Sequence, residues 1–302
     1  MPGLSGVGKT AFARVLMEPV ASTNGFFLEG KFDQYGRSIP FTAFRQVLHA
    51  FCTSIQNEIL AFREHWRSKI LNAVGDSARL LIDLEPSFEP ILGSCPQLPK
   101  INPVEAKHRF ANVFRCFFES ICKPEQPVVL FLDDWQWADA ASQELLLLLR
   151  EQPIRYLLII AAYRNDEVGS DNPYAITLEE LKAQQNSLST IELANLSNSD
   201  LDRFLEERLG GNIESRSSIV DLIMARTKGN PFYVLAFVDF LLRSKQLRRD
   251  SSSTLWRLET TTLDGEPSND VVQWYSTRMK SLDTECQKLL SMSACLGFRF
   301  DS

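Results

Sequence analysis

The clearest chemical signal in the sequence is a run of eight residues with the types and the spacing of a phosphate-binding loop. It matches the pattern G-x-x-x-x-G-K-[ST] and reads Gly3-Leu4-Ser5-Gly6-Val7-Gly8-Lys9-Thr10. The glycines let the main chain curl until successive N–H groups point at phosphate oxygens. Lys9 would reach the β- and γ-phosphates, and the Thr10 hydroxyl would reach Mg²⁺. For the pattern taken alone, an accidental glycine-rich turn is the alternative.

A helix is expected to follow this loop over residues 10–22. The N-terminal end of a helix places positive potential beside bound phosphates. We therefore expect the loop and the first helical turn to supply the groups that contact a nucleotide. These groups belong to Gly3, Ser5, Gly6, Val7, Gly8, Lys9, Thr10 and Ala11.

A second half-site follows an apolar run that begins at residue 126. The run ends in two adjacent carboxylates, Asp133 and Asp134. It predicts a buried parallel strand, and open α/β sheets bind ligands at the carboxyl ends of such strands. Asp133 would hold Mg²⁺ directly or through water, and Asp134 would polarise the attacking water. An ordinary strand before an Asp-rich turn is the alternative, but two half-sites in this order favour a nucleotide site.

A third strand is predicted over residues 156–163, and Arg164 closes it. An arginine at this edge can sense the γ-phosphate or stabilise charge in the transition state. The alternative is a solvated side chain that merely ends the strand. Lys9, Asp134 and Arg164 are thus the predicted catalytic residues, and Thr10 and Asp133 are the predicted Mg²⁺ ligands.

With these pieces in place, the chain resembles the AAA-type STAND ATPase module of large signalling proteins, which often also carry serine/threonine kinase, GAF and histidine kinase domains. The resemblance covers nearly the whole chain. The matching stretches are Ser5-Gly6-Val7-Gly8-Lys9-Thr10, Gly30-Lys31-Phe32-Asp33-Gln34, Phe131-Leu132-Asp133-Asp134-Trp135-Gln136-Trp137-Ala138-Asp139, Ala162-Tyr163-Arg164 and Gly229-Asn230-Pro231-Phe232.

The resemblance implies binding of ATP or ADP with Mg²⁺, slow hydrolysis, and a nucleotide-controlled switch that adjacent kinase or sensor domains, or a protein partner, respond to. It also implies that Pro231, in a helical lid, lies near the bound nucleotide. The expected fold is α/β, a P-loop NTPase parallel sheet followed by that lid. We expect the core over residues 1–195, the lid over 196–246, and the start of a helical or winged-helix-like segment over 247–302.

Family members carry residues upstream of the loop that form the first strand of the sheet. Since the loop starts at Gly3, we expect this strand to be lacking and the chain to be a piece of a larger protein. Loss of a central strand would remove buried apolar surface comparable to the whole net stability of a domain, about 5–15 kcal/mol. The isolated chain is then expected to be unstable, with weak or absent ATPase activity.

Other elements follow from apolar spacing and capping residues. A strand is predicted over 25–31, helices over 41–61 and 105–121, and a last core strand over 188–194. Lid helices are predicted over 199–209, 213–228 and 232–244, then a strand over 255–258 and helices over 270–294. Asp139 should cap the helix that follows it, with a metal ligand as the alternative.

Composition limits the classes of function. A net charge of −6 argues against a strongly basic face for nucleic acid. The six cysteines form no C-x-x-C pair and the three histidines are few, which argues against a zinc site. Apolar runs are far shorter than the roughly 18 residues of a membrane span, and no signal peptide is evident, so we expect the cytoplasm.

The residues alone leave several other functions open. A protein-remodelling AAA ATPase would need a trans arginine and pore or DNA contacts, and no loop for these stands out. A small-molecule kinase would need a second-substrate cluster, and none is evident. The last alternative is a non-catalytic truncated fragment.

Overall fold

The computed structural model describes residues 1–34, 39–165, 188–210, 213–249, 255–259, 279–280 and 282–296. The chain divides into two compact units, Met1–Ala194 and Asn195–Ser302. Among the helices described, none is both long enough and apolar enough to cross a membrane.

The first unit contains the predicted parallel sheet. Its parallel strands form a three-stranded sheet and a separate two-stranded pair: β1 Pro2–Gly3, β2 Phe26–Lys31, β3 Val128–Asp133, β4 Leu157–Ala161 and β5 Tyr163–Arg164. The order β2-β3-β4 is parallel throughout, and β1 pairs in parallel with β5. All six residues of β3 are buried, because this strand has a neighbour on each side and apolar packing on both faces. The α/β fold with a parallel sheet is confirmed.

Helices pack around this sheet. Their bounds are α1 Lys9–Arg14, α2 Met17–Ser22, α3 Thr42–Gln56, α4 Leu60–Val74, α5 Arg79–Leu84, α6 Glu89–Leu92, α7 Pro103–Ile121 and α8 Ala140–Glu151. Short 3₁₀ helices cover Gly75–Ala78, Pro86–Phe88 and Trp135–Trp137.

Aromatic side chains dominate the core of the first unit. Phe51 of α3 and Phe117 of α7 meet edge to face with ring centroids 5.2 Å apart, and both are fully buried. On the same side of the sheet, the buried side chains of Leu130 and Leu132 belong to this large cluster. Phe131 points to the opposite face, where a smaller cluster includes Ala13 of α1. The two faces of β3 are therefore packed by different helices.

The helix predicted over 10–22 forms instead as two short helices, α1 and α2. At the break, Val15 N donates to Phe12 O (3.2 Å) and Leu16 N donates to Ala13 O (3.1 Å), a tighter spacing than that of an α-helix. Pro19 provides the physical reason. It has no N–H to donate to Val15 O, and its ring would clash with that carbonyl in a continuous helix.

Two further expectations are corrected. The predicted strand 188–194 is reduced to a single parallel bridge between Leu193 and Gly3. The partner strand β1 offers only two residues, so the pairing cannot extend. The helix predicted over 41–61 ends at Gln56, and Ile59 adopts an extended conformation before α4 begins. The first strand, which we expected to be lacking, is represented by the two residues of β1.

The second unit is mainly helical. Its described elements are α9 Asn198–Leu209, α10 Arg216–Thr227, α11 Pro231–Arg243, β6 Leu247–Arg249, β7 Trp256–Leu258 and α12 Thr284–Leu296. Ser197 and Asp200 form a capping box at the start of α9. Apolar residues on α9, α10 and α11 form one buried cluster. Of the predicted helices over 270–294, residues 270–278 and 281 lie outside the described residues.

Candidate nucleotide-binding site

The glycine-rich segment forms the tight turn that its sequence predicts. Val7 N donates to Leu4 O at 3.4 Å. Gly6 and Gly8 both have positive φ angles, 76° and 98°, in the region that favours glycine. Gly8 is also the residue that precedes α1. The curl of the main chain therefore depends on residues without a Cβ.

Lys9 lies inside this turn rather than in solvent. Its side-chain ammonium donates to Gly3 O at 2.8 Å and to Leu4 O at 2.9 Å, and the residue is buried. Ammonium groups bind phosphate as strongly hydrated point charges on flexible stems. Lys9 is thus placed where an anion held by the turn would meet a positive charge.

Thr10 and Asp133 join the turn to the end of β3. The Thr10 hydroxyl donates to Asp133 Oδ2 at 2.7 Å, and Asp134 N donates to Asp133 Oδ1 at 2.9 Å. Hydroxyl and carboxylate oxygens are the ligands that Mg²⁺ prefers in proteins. The two predicted Mg²⁺ ligands, 123 residues apart in sequence, are side by side, and their donor set fits that ion.

Asp134 is surrounded by donors. Its carboxylate lies 2.9 Å from Lys31 Nζ and 3.1 Å from Arg164 Nε, and it accepts a hydrogen bond from Gln136 Nε2 at 3.1 Å. Burial alone would raise the pKa of Asp134. The hydrogen bonds from Lys31 and Gln136 and the charges of Lys31 and Arg164 outweigh burial and lower the pKa below its ordinary value. The residue is therefore held as a carboxylate.

Arg164 contributes to the site through three contacts. Besides pairing with Asp134, its guanidinium lies 5.0 Å from the ring centre of Trp137, and its main-chain N–H donates to Gln136 Oε1 at 3.2 Å. Only a quarter of its side chain is exposed (25%). The side chain is therefore paired and mostly buried rather than solvated, and its catalytic role remains a prediction.

Two residues at the site had no role assigned from the sequence: Lys31 and Gln136. Lys31 is the last residue of β2 and lies opposite Asp133 in the parallel register. The position of Lys31 at the end of a predicted strand was a signal for a role at the site, because the carboxyl ends of neighbouring parallel strands meet at one edge of the sheet. The order of the strands was the missing information.

Asp139 serves as a helix cap, as predicted. Its Oδ1 accepts from Ser142 N at 2.9 Å, and its Oδ2 accepts from Ser142 Oγ at 2.6 Å and from Phe41 N at 3.1 Å. These bonds satisfy free N–H groups at the start of α8 and tie it to the residue before α3. The capping interpretation is confirmed.

The structure also places the other residues that were predicted to contact the nucleotide. Ser5 is exposed at the turn, Val7 is buried beneath it, and Ala11 is exposed on α1. Pro231 is the first residue of α11 in the second unit, where its fixed φ suits a helix start. That Pro231 lies near a nucleotide remains a prediction.

The chain is similar to known proteins at two levels, a domain family and an individual signalling protein. A sequence model described as "AAA ATPase domain" matches residues 2–160. The hybrid signal transduction histidine kinase G of Dictyostelium discoideum is 22% identical over 364 aligned positions, which include 99% of this chain. The chain spans about a tenth of the length of that relative, 10%.

Proposed function

Because the chain belongs to the AAA ATPase domain family, we propose that it binds ATP with Mg²⁺ and hydrolyses it slowly, as a regulatory switch of the STAND class. The observation that carries this proposal is the 2.7 Å hydrogen bond between Thr10 and Asp133. It joins the phosphate-binding turn to the acidic end of β3, so both half-sites can act on one ligand.

In this proposal the turn and the start of α1 bind the phosphates of the nucleotide. Gly3, Ser5, Gly6, Val7 and Gly8 form the turn that surrounds the phosphates, the main-chain N–H groups of Lys9, Thr10 and Ala11 at the start of α1 bind them, and the Lys9 ammonium neutralises their charge. Thr10 and Asp133 would hold Mg²⁺, directly or through water. Mg²⁺ held there would neutralise negative charge on the phosphates.

Asp134 would orient and polarise the attacking water, and Arg164 would stabilise the charge that develops on the γ-phosphate. In the structure, Asp134 is already paired with Lys31 and Arg164. A carboxylate with a lowered pKa is a weaker base, so these pairs favour slow turnover. Slow turnover suits a switch, in which the ratio of two bound states carries the signal.

The signalling role is supported by the relative, whose name describes a signal transduction histidine kinase. We propose that adjacent kinase or sensor domains, or a protein partner, respond to the nucleotide state. In this proposal residues 1–195 are the ATPase core, 196–246 the lid and 247–302 a helical or winged-helix-like segment. Pro231 would contact the nucleotide from the lid.

The proposal is tested by titrating the chain with ATP in the presence of Mg²⁺ by calorimetry. Lys9→Ala should weaken binding at least about tenfold, because a charge-assisted contact is worth roughly 1.5–3 kcal/mol. Lys107→Ala is the matched control, since Lys107 pairs with Glu144 on the surface at 2.9 Å. The proposal fails if the unaltered chain is folded by circular dichroism and does not bind, or if both variants bind equally well.

A further inference from the structure

The side chain of Gln136 bonds to both of the residues that carry the proposed water activation and charge stabilisation. Its Nε2 donates to Asp134 Oδ1 at 3.1 Å, and its Oε1 accepts from Arg164 N at 3.2 Å. The residue is only 2% exposed. The donor end of the amide therefore meets a carboxylate and the acceptor end meets an N–H group, which fixes the orientation of the amide.

The main chain around Gln136 determines where this side chain lies. The positive φ of Asp134 turns the chain at the end of β3, and Gln136 follows in the short 3₁₀ helix Trp135–Trp137. Trp135 N donates to Ala162 O at 2.8 Å. This bond ties the 3₁₀ helix to the residue between β4 and β5, so the side chain of Gln136 is held next to β5.

A second buried glutamine shows what an ordinary structural role looks like in this chain. Gln143 of α8 is also buried, and its Nε2 donates to the main-chain Ala138 O at 2.9 Å. Such a bond satisfies a main-chain carbonyl, as most side-chain hydrogen bonds of this kind do. Gln136 differs because its donor is directed at an ionised side chain of the candidate site.

Gln136 and the guanidinium of Arg164 bond to the same carboxylate oxygen. Arg164 Nε lies 3.1 Å from Asp134 Oδ1, the oxygen that accepts from Gln136. In the proposed function the guanidinium turns from this oxygen to the γ-phosphate. Gln136 accepts from the main chain of Arg164 rather than from its guanidinium, so both contacts of Gln136 can persist when the guanidinium moves. A neutral donor then keeps the carboxylate oriented without adding a positive charge.

We propose that Gln136 is a positioning residue for ATP hydrolysis, an inference that rests on the proposed function. It holds the Asp134 carboxylate and the main chain of Arg164 in one fixed relation while the guanidinium changes its partner. The attacking water then meets an oriented carboxylate. Orientation of a reacting group raises the rate of the chemical step rather than the affinity for substrate. Loss of the Gln136 amide should therefore lower kcat and leave ATP affinity nearly unchanged.

The experiment compares Gln136→Met with Gln143→Met, because each removes a buried amide and leaves a side chain of similar length. Single-turnover hydrolysis and calorimetric binding of ATP are measured with Mg²⁺. Gln136→Met should lower the rate about tenfold or more and change the Kd for ATP less than about twofold. Gln143→Met should leave both within about twofold. Gln136→Asn, whose amide is one methylene shorter and cannot meet both partners, should also be slow. Equal rates in the two methionine variants would overturn the proposal.

A double substitution tests whether Gln136 acts through Asp134. In an Asp134→Asn chain, Gln136→Met should change the remaining rate less than about twofold, because the group that Gln136 orients is already altered. A full tenfold loss in that background would indicate a general structural effect and overturn the proposal.

Amide hydrogen exchange tests the contact without ATP. The Arg164 amide should exchange at least about tenfold faster in Gln136→Met than in Gln143→Met, because its acceptor is lost. Equal protection would overturn the proposal. An unaltered chain that is folded but neither binds nor hydrolyses ATP would refute the proposed function, and this inference with it. Normal hydrolysis by Gln136→Met would refute the role of Gln136 alone.

Discussion

The Lys31 ammonium lies 2.9 Å from Asp134 Oδ2, so the last residue of β2 pairs with the carboxylate that directly follows β3. Asp134 has a positive φ of 52°, which turns the chain sharply at this point. The turn and the ion pair hold the carboxylate at the carboxyl edge of the sheet, next to Asp133. In the proposed function this carboxylate meets the attacking water, so its partners control how fast water is activated.

Removal of the Lys31 charge is expected to increase ATP hydrolysis. Lys31→Met takes away one of the two cations that lower the pKa of Asp134 and leaves the turn at residues 3–10 unchanged. A stronger base should raise the rate of phosphate release about threefold or more at saturating ATP. Lys107→Met is the control for loss of a lysine charge. A rate that is unchanged or lower would contradict the restraining role of Lys31.

Arg164 is expected to act in the opposite sense. Arg164→Gln removes the charge proposed to stabilise the transition state, and hydrolysis should fall at least about tenfold. Arg164→Lys should not restore it, because the guanidinium contacts both Asp134 and the face of Trp137. Single-turnover assays with Mg²⁺ and ATP provide the measurement. Full activity in Arg164→Gln would remove Arg164 from the predicted catalytic residues.

The ion pair of Asp134 predicts a pH dependence of stability. Its pKa is lowered in the folded state, so the ionised carboxylate stabilises the fold at pH values above its ordinary pKa of roughly 4. That contribution is lost as the pH falls below this value toward the folded-state pKa. The difference in the free energy of unfolding between the unaltered chain and Lys31→Met should therefore be larger at pH 6 than at pH 3. Urea unfolding at both pH values tests this, and a difference that grows with acid would contradict it.

Substitution of two glycines can distinguish a specific effect on the phosphate-binding turn from a general effect of backbone strain. Gly8 and Gly75 both have positive φ angles, 98° and 56°, and a Cβ on either would meet no other atom within 4 Å. Alanine at Gly8 should cost about 1 kcal/mol of stability, and alanine at Gly75, whose ψ of −141° lies outside the left-handed helical region, should cost at least as much. Gly8→Ala should also weaken ATP binding, because it distorts the turn, whereas Gly75→Ala should not. Equal binding by the two variants would argue against nucleotide contact at the turn.

The parts of the site that the sequence predicted are those with a local signal. The apolar run before Asp133 and Asp134 defined β3, and the glycine spacing defined the turn. The contact between Thr10 and Asp133 followed from the general rule that ligands bind at the carboxyl ends of parallel strands. Asp139 was correctly predicted as a cap because its side chain precedes a run of leucines.

The parts that were not predicted depend on distant residues or on a signal that was overlooked. Lys31 could be assigned a role only once β2 was known to lie beside β3, a tertiary relationship that no local pattern contains. The reduced pairing at Leu193 likewise depends on the length of β1. The break between α1 and α2 did have a local signal in Pro19, whose missing N–H forbids a continuous helix.

The most direct test of the central claim is a calorimetric titration of the chain with ATP, first with Mg²⁺ and then with EDTA, repeated for Asp133→Asn. The account predicts that Mg²⁺ tightens binding at least about tenfold in the unaltered chain, and that this gain is lost in the variant. Binding that is absent up to millimolar ATP, or equally tight with and without Mg²⁺, would contradict the assignment of Thr10 and Asp133 to a nucleotide–magnesium site.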